Sequence, residues 1–253
     1  MIKIQRHNKI IELLKISGTI TISQLSKEFN CSEETIRKDL IELENNSKLK
    51  RTHGGAYIEH SFDKGIPLEL RETLMKKEKK YIAELAIKHI KNHSSIILDS
   101  STTCIELAKK IYESDLEITI ITNSLQIANI FLKSNHVKLI ILPGTLNSKY
   151  NSMFDLHTLT FLENIKADIS FISFPTINIE FGYGDNSIEN LKVREKMLSN
   201  SKIKIVLLDS TKFNDDSAVF FTKIKNTDII VTDKKIDKKW VVFFKKNNIN
   251  IVY

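Results

Sequence analysis

The chain has 253 residues, of which 42% are hydrophobic and 27% are charged, with a formal net charge of +7. These proportions are those of an ordinary globular protein, and no apolar run approaches the roughly 20 residues that span a bilayer. The N-terminus has no apolar stretch followed by a small-residue cleavage site, so no secretory signal is expected and a cytoplasmic location is predicted. A chain of this length favours two domains over one.

Helices predominate in the predicted N-terminal segment. An amphipathic helix comes first, and the capping box that begins at Thr21 predicts a second helix over 22–29. Ser32 is a good N-cap for a third helix over 32–45, whose apolar residues form one stripe. Two short strands around a glycine turn follow, at about residues 49–58.

Two helices joined by a short turn have helix-turn-helix geometry, in which the second helix enters the major groove of DNA. The side chains near the start of that helix would reach bases or phosphates, and they are Glu34, Thr35, Arg37 and Lys38. Arginine can pair with guanine, and lysine neutralises phosphate. The basic hairpin would act as a wing against the DNA backbone or minor groove. The alternative is a small helical domain whose charges are only solvated.

A linker is predicted at residues 59–68, which lack periodicity and contain a glycine and a proline. It would separate a domain at 1–58 from a larger domain at 69–253, which is predicted to open with a long lysine-rich helix over 69–93. Beyond that helix, short apolar runs alternate with helical segments, as a parallel sheet covered on both faces requires. The predicted strands are Ser95–Leu98, Ile118–Ile121, Val137–Leu142, Ile169–Ser173, Lys204–Leu208, Ile229–Val231 and Ile249–Val252.

Polar residues gather directly after four of these strands. The four segments are Asp99–Thr103, Thr122–Ser124, Pro143–Thr145 and Asp209–Lys212. In open α/β sheets, ligands bind beyond the carboxyl ends of the strands. Hydroxyls and amides at helix N-termini suit phosphate, and Lys212 would add a positive charge. The pattern predicts a site for a small anion, unless these residues only cap helices.

Metal and nucleotide sites are not indicated. Cys31 and Cys104 are far apart and form no CxxC pattern, and the pair His89 and His93 lacks the glutamate pattern of zinc-binding helices. No glycine-rich phosphate-binding motif of the GxGxxG or GxxxxGK type occurs, so no cofactor or metal is expected. Cys104 is expected to be a small buried residue at a helix start, where its pKa could be lowered.

One family matches both halves of this pattern. The segment SEETIRKDL from Ser32 to Leu40, together with RTHGGA from Arg51 to Ala56, closely resembles the signature of the DeoR family of bacterial transcription regulators. The resemblance implies a winged helix-turn-helix domain that binds double-stranded operator DNA. The DNA-binding residues would be Ser32, Glu34, Thr35, Arg37, Lys38, Arg51, Thr52, His53 and Gly54.

The larger domain resembles the C-terminal sensor domain of the same family. That resemblance implies an α/β fold with a mostly parallel, Rossmann-like sheet related to sugar-phosphate isomerases, and a phosphorylated sugar as effector. The effector-binding residues would be Asp99, Ser100, Thr102, Thr103, Thr122, Asn123, Ser124, Gly144 and Lys212. Ser101 and Pro143 stand where the family commonly has glycine, and the identity of the effector stays open.

The expected function is a DNA-binding transcription regulator, a repressor of sugar or carbohydrate genes that is controlled by a phosphorylated sugar or related small anion. A homo-oligomer is expected, since most operators are symmetric, and no membrane partner is predicted. The rival hypothesis is an isomerase-like enzyme with an accessory winged helix, in which Lys212 and Asp99 would be catalytic. No acid or base partner for either residue is evident in the sequence, so a protein that is not an enzyme is expected.

Overall fold

A computed structural model describes residues 1–17, 19–46, 48–51, 54–57, 68–213 and 219–253. The chain divides into two compact units, which we call the N-terminal unit (Met1–Leu74) and the C-terminal unit (Met75–Tyr253). Apart from Leu68, the predicted linker at 59–68 lies outside the described residues. Among the described helices, none combines the length and apolar character needed to cross a bilayer.

The N-terminal unit packs helices around a small antiparallel sheet. Its described elements are α1 (Lys3–Ser17), β1 (Thr19–Thr21), α2 (Ile22–Phe29), α3 (Glu33–Asn45), β2 (Lys50–Arg51), β3 (Gly55–Tyr57) and α4 (Leu68–Thr73). Strand β3 lies between β1 and β2. The sheet therefore has one more strand than the predicted hairpin. A cluster of buried apolar side chains that includes Ile10, Leu25, Ile36 and Leu40 holds α1, α2 and α3 together.

Side-chain caps determine where α2 and α3 begin. Thr21 Oγ1 accepts a hydrogen bond from the amide of Gln24 at 3.1 Å, and Gln24 Oε1 accepts one from the amide of Thr21 at 2.9 Å. This reciprocal pair confirms the predicted capping box. At α3, Ser32 Oγ accepts from the amide of Thr35 at 3.2 Å. The predicted helix-turn-helix is confirmed, with its second helix starting one residue after its cap.

In the described part of the C-terminal unit, seven strands form one parallel sheet, which we call the main sheet. Its strands are β4 (Ser95–Leu98), β5 (Ile118–Thr122), β6 (Val137–Ile141), β9 (Ala167–Ile172), β12 (Ser201–Leu207), β14 (Ile229–Val231) and β15 (Asn250–Val252). The predicted strands and the predicted mostly parallel α/β fold are confirmed, with differences only at strand ends. Apolar clusters cover both faces: Ile96 and Leu98 point into one, and Ile97 into the other.

The order of strands across the main sheet is β15, β14, β12, β9, β4, β5 and β6. The chain therefore runs outward from β4 to β6 and then returns to the other side of β4. The helices that cover the sheet are α5 (Lys76–Ala86), α6 (Thr102–Tyr112), α7 (Leu125–Phe131), α8 (Leu156–Leu162), α9 (Ile188–Ser199) and α10 (Lys238–Lys246). The reversal of strand order between β4 and β9 is a topological switch point, where α/β sheets bind ligands.

The single helix predicted over 69–93 is wrong. Helix α4 ends at Thr73 and α5 begins at Lys76, because Met75 between them has a φ of 50°, which a right-handed helix cannot contain. A short 3-10 turn over Ile87–His89 ends the second helix. His93 lies beyond it with a φ of 63°, so the two histidines do not share a helix face.

The C-terminal unit also contains short antiparallel strands outside the main sheet, which sequence analysis did not predict. A hairpin pairs β7 (Leu146–Asn147) with β8 (Ser152–Met153). A second small sheet contains β10 (Thr176–Asn178), β11 (Gly182–Asp185) and β13 (Val219–Thr222). Runs of two to four residues carry too little alternation to stand out in a sequence. These additions nonetheless bring further polar side chains to the switch point.

Candidate DNA-binding and effector sites

The start of α3 presents two cations to solvent. The Arg37 guanidinium donates to Glu33 Oε2 at 3.0 Å, and Lys38 Nζ lies 4.0 Å from Glu34 Oε1, with all four side chains exposed. Exposed pairs of this spacing contribute only about 0.3–0.5 kcal/mol. Both cations can therefore turn towards a phosphate or a base at little cost. Thr35 is half-buried, and its hydroxyl lies 2.9 Å from that of the cap, Ser32.

A buried carboxylate that sequence analysis missed positions this helix. Asp39 is 2% exposed and receives hydrogen bonds from Arg6 Nε at 2.5 Å and from Arg6 Nη2 at 3.0 Å. His7 Nε2 lies 3.1 Å from the same carboxylate. Desolvation raises the pKa of Asp39, but the hydrogen bonds from Arg6 and His7 outweigh it, so the pKa lies below its ordinary value. Asp39 follows Lys38 directly, and its ties to α1 hold the exposed side of α3 in a defined orientation.

The wing is tied to α3 by one arginine. Arg51 Nε donates to Glu44 Oε2 at 2.7 Å, and the Arg51 amide donates to Glu44 Oε1 at 2.8 Å. Desolvation raises the pKa of Glu44, but the hydrogen bonds from Arg51 outweigh it, so this pKa lies below its ordinary value. Gly54 is exposed, whereas a Cβ on Gly55 would lie 2.2 Å from the Ile20 carbonyl oxygen. Close packing therefore requires glycine at 55. The predicted DNA contacts Thr52 and His53 lie outside the described residues.

The loop after β4 occupies the switch point. Ser101 Oγ donates to Asp99 Oδ1 at 2.6 Å and accepts from the Cys104 amide at 3.2 Å, so Ser101 caps α6. Ser100, Thr102 and Thr103 are all buried. The first amides of an α-helix lack intrahelical acceptors. Donors thus concentrate at the start of α6, where the helix dipole favours an anion.

A buried arginine completes this loop, and the sequence did not reveal it. Arg194 Nε donates to Asp99 Oδ2 at 2.8 Å, and its Nη1 donates to Asp185 Oδ2. All three side chains are at most 7% exposed. The guanidinium also lies 5.9 Å from the centre of the Phe174 ring, which stacks on Tyr183. Helix α9 and strand β11 therefore supply charges to a loop that lies almost a hundred residues earlier in the chain.

The loop after β5 lies beside the loop after β4, because Leu98 and Thr122 are partners in the sheet. Ser124 Oγ accepts from the Ile127 amide at 3.3 Å and caps α7. Asn123 Nδ2 donates to the Met153 carbonyl at 2.7 Å, which joins this loop to β8. The structure thus brings the predicted residues at 99–103 and 122–124 together.

Gly144 and Lys212 lie on opposite sides of the two neighbouring loops that follow β4 and β5. They follow β6 and β12, which are four strand steps apart in the main sheet, or roughly 19 Å at ~4.8 Å a step. Gly144 has a φ of 145°, and a Cβ there would meet Thr158 Oγ1 at 2.6 Å and Asp155 Oδ1 at 2.7 Å. The backbone hydrogen bond from Thr145 lowers the pKa of Asp155 to about 2. Lys212 is buried in a 3-10 turn. Contacts of either residue with an effector stay a prediction.

Cys104 is a small buried residue at the start of α6, as predicted, and the alternative of a lowered pKa is wrong. Its side chain is fully buried, and Sγ donates to the Phe171 carbonyl at 3.2 Å. Burial raises the pKa of the thiol well above its ordinary value, because the thiolate loses its solvation. The helix N-terminus does not compensate for this loss.

Known proteins match the chain in both units. A model of the DeoR-like helix-turn-helix domain matches residues 6–62, and a model of the DeoR C-terminal sensor domain matches residues 75–234. The HTH-type transcriptional regulator GolR of Listeria innocua is 34% identical over 94% of this chain and 93% of its own length. The glycerol-3-phosphate regulon repressor of Escherichia coli is 28% identical over 90% of each chain.

A second Escherichia coli relative, the L-fucose operon activator, is 29% identical over 92% of this chain and 96% of its own length. Among solved structures, ribose 5-phosphate isomerase A from Methanocaldococcus jannaschii is similar over 55% of each chain, with a TM-score of 0.41 and 15% identity. The two matched domains together occupy most of the sequence. The chain belongs to the DeoR family of helix-turn-helix transcription regulators.

Proposed function

We propose that this protein is a repressor of sugar or carbohydrate genes, which binds operator DNA through α3 and its wing and releases it in response to a phosphorylated sugar or related anion. The observation that carries the DNA-binding part is the pair of exposed cations, Arg37 and Lys38, on a helix whose orientation Asp39 fixes from behind. Such a regulator works in the cytoplasm, where chromosomal DNA lies.

The start of α6 supports the choice of a phosphorylated effector. Ser100, Thr102 and Thr103 are buried residues whose hydroxyl groups lie beside amides that the helix leaves unpaired. Phosphate oxygens accept hydrogen bonds from such groups and are favoured by the helix dipole. Regulation of sugar genes is proposed because curated relatives are named for a glycerol-3-phosphate regulon and an L-fucose operon.

The test joins the two sites. Calorimetry with a panel of sugar phosphates should find a compound that binds the protein, and fluorescence anisotropy on DNA from upstream of its own gene should show that this compound lowers DNA affinity. Coupling is reciprocal, so the same compound should bind more weakly in the presence of DNA. Thr103→Ala should weaken effector binding and leave DNA binding by the ligand-free protein unchanged. Thr119→Ala, at the opposite end of β5, is the matched control.

Repression and activation are separated by transcription from the same promoter with and without the protein. A rise in transcript on addition of the protein would contradict the proposed repressor.

A dimer is proposed as the DNA-binding form, because one helix-turn-helix contacts a short half-site and a symmetric operator offers two. Sedimentation of the protein with and without DNA measures this directly. A monomer under both conditions would contradict it.

The enzyme alternative, an isomerase-like protein, requires a base that can reach its substrate. Both oxygens of Asp99 already accept hydrogen bonds, from Ser101 and from Arg194, which favours a binding role over proton transfer. Incubation with pentose and hexose phosphates, followed by product analysis, should show no turnover above a boiled control. Turnover that Asp99→Asn or Lys212→Met abolishes would favour the enzyme instead.

A further inference from the structure

Strand β6 lies at one end of the main sheet, where the described part of the chain supplies a neighbouring strand, β5, on one side of it only. The residues of β6 are Val-Lys-Leu-Ile-Ile, and all five are at least partly exposed. An open edge presents unpaired amides and carbonyls, which natural proteins usually protect with charges, prolines or bulges. β6 has a single lysine, no proline and an unbroken register with β5, so this edge is suited to pairing with another strand.

Hydrogen bonds to β5 show which backbone groups of this edge are already used. The Leu142 amide donates to the Thr122 carbonyl at 2.8 Å, and the His136 carbonyl accepts from the Ile118 amide at 3.3 Å. Successive residues of a strand direct their backbone groups to opposite sides. The even-numbered residues of this stretch therefore pair with β5.

The odd-numbered residues direct their amides and carbonyls away from the sheet. They are Val137, Leu139 and Ile141. A second copy of β6, placed antiparallel about a twofold axis at Leu139, would pair Leu139 with its own counterpart and Val137 with Ile141. These are three hydrogen-bonded pairs with two bonds each, so all six outward groups of each strand would be used. A shift of the axis to a neighbouring residue leaves some of them unpaired.

Side chains fit the same axis. Lys138 would lie opposite Ile140 of the other copy, so the two lysines would not face each other. Helix α7, which packs beside β6, has exposed leucines seven positions apart, Leu125 at its start and Leu132 at its end. Residues at this spacing share one helix face. The twofold axis would bring the start of α7 in one copy towards the end of α7 in the other, and so each leucine towards its apolar counterpart.

Charge supports an antiparallel copy as the partner. The start of β6 carries the exposed Lys133 and Lys138, against Glu117 at the start of β5. Beyond the other end of β6, the Asp155 carboxylate accepts from the Thr145 amide at 2.7 Å and stays ionised at neutral pH. Antiparallel pairing brings the cationic end of one strand towards the anionic end of the other, which is favourable.

We propose that β6 is the interface between two copies of this chain, which join their main sheets by antiparallel pairing centred on Leu139. This inference rests on the proposed dimer and deepens it, because it names the surface and the register of the contact and assigns both to the C-terminal unit.

The first test uses cysteines, because the register makes a prediction that exposure alone does not. In Leu139→Cys the two Cα atoms of the central pair would lie about 5.5 Å apart, within reach of a disulfide. Ile141→Cys is the matched control: Ile141 is more exposed than Leu139, but its two copies would lie roughly 14 Å apart along the strands. Mild oxidation and non-reducing electrophoresis compare both with wild-type protein, which has Cys31 and Cys104.

Leu139→Cys should give a covalent dimer, and Ile141→Cys should give none above the wild-type background. Cross-linking through Ile141→Cys that equals or exceeds that through Leu139→Cys would overturn the inference, as would a Leu139→Cys variant that does not cross-link.

The second test removes an outward amide. Ile141→Pro deletes two of the six interchain bonds, and proline is tolerated at an edge position whose N–H is unused within the chain. Sedimentation equilibrium should show a dimer dissociation constant raised roughly 5–100-fold, as expected for two neutral hydrogen bonds. Ile141→Val keeps the amide and should behave as wild type, and circular dichroism checks that both variants fold.

The outcomes separate this inference from the proposed function. A dimer whose dissociation constant is the same in a folded Ile141→Pro variant would overturn the inference and leave the proposed dimer intact. If Ile141→Pro does not fold, the cysteine pair decides. A wild-type protein that is a monomer with and without DNA would overturn both the dimer and the inference, whereas DNA binding and effector binding would still be measured independently.

Discussion

The guanidinium of Arg194 and the carboxylate of Asp99 are joined at 2.8 Å although 95 positions separate them in the chain. The same guanidinium donates to Asp185, so one cation binds two carboxylates at the switch point of the main sheet. The local sequence around Asp99 could not predict that Arg194 would be its partner. The pairing makes Arg194 the residue on which the charge balance of the predicted effector loop depends.

Arg194→Met should destabilise the C-terminal unit by about 3–5 kcal/mol, because it keeps the side-chain volume but leaves two carboxylates buried without their cation. Denaturant unfolding followed by the fluorescence of Trp240 measures this, since it is the one tryptophan of the sequence and is fully buried. The matched control is Lys202→Met. Lys202 pairs with Asp168 at 2.8 Å but is 78% exposed, so solvent screens the pair and its loss should leave the free energy of unfolding almost unchanged. Similar losses in the two variants would contradict the prediction.

Arg37→Ala should weaken operator binding by about 1–3 kcal/mol if Arg37 reads a base, whereas Lys38→Ala should weaken all DNA sequences alike and reduce the salt slope by about 1. Anisotropy titrations with operator and scrambled DNA at several salt concentrations separate these effects. Lys9→Ala is the control, because Lys9 lies on α1 in a comparably exposed pair with Glu12. If the Arg37→Ala, Lys38→Ala double variant bound operator DNA with wild-type affinity, this face of α3 would be excluded as the DNA-binding surface.

Asp39 should make the stability of the N-terminal unit depend on acid pH. Its folded pKa lies below its ordinary value, so the stabilisation is complete above about pH 5, where an unfolded Asp (pKa ~3.9) is also ionised. The stabilisation is lost as pH falls through the lowered folded pKa. Hydrogen exchange of α1 and α3, corrected for intrinsic rates, should show protection that falls progressively as the pH is lowered below about 5.

Two variants check the assignment of that pH dependence. Asp39→Asn should lose most of the protection already at pH 7, because the neutral amide cannot replace the carboxylate between Arg6 and His7. Glu12→Gln changes an exposed carboxylate on α1 and should behave as wild type. A wild-type pH profile in Asp39→Asn would show that another group titrates.

Gly144→Ala should destabilise the C-terminal unit by about 1–3 kcal/mol, because an added Cβ would press on Asp155 and Thr158 at a φ of 145°. Gly54→Ala is the control, since a Cβ there meets nothing within 4 Å, and its effect on thermal unfolding should be within about 0.5 kcal/mol. An equally stable Gly144→Ala variant that no longer binds effector would show that this glycine is needed for the ligand and not for packing.

Much of the fold could be predicted from the sequence, because its signals act over a few residues. The capping box at Thr21 and the cap at Ser32 set helix starts through hydrogen bonds three positions apart. The strands of the main sheet are buried on both faces, which leaves continuous apolar runs in the sequence. The same local signals placed polar residues after β4 and β5.

The sequence by itself determined the helix-turn-helix, the main-sheet strands and the loops at the sheet edge, since each depends on neighbours along the chain. Only the tertiary structure decided which distant residues meet. Arg6 binds Asp39, Arg194 binds Asp99, and Ser152 faces Ser124, and each contact joins different elements. Such contacts depend on the order of strands in the sheet and on how helices pack against it. Burial strengthens the electrostatic interaction between the paired groups, because the protein interior screens charge far less than water does.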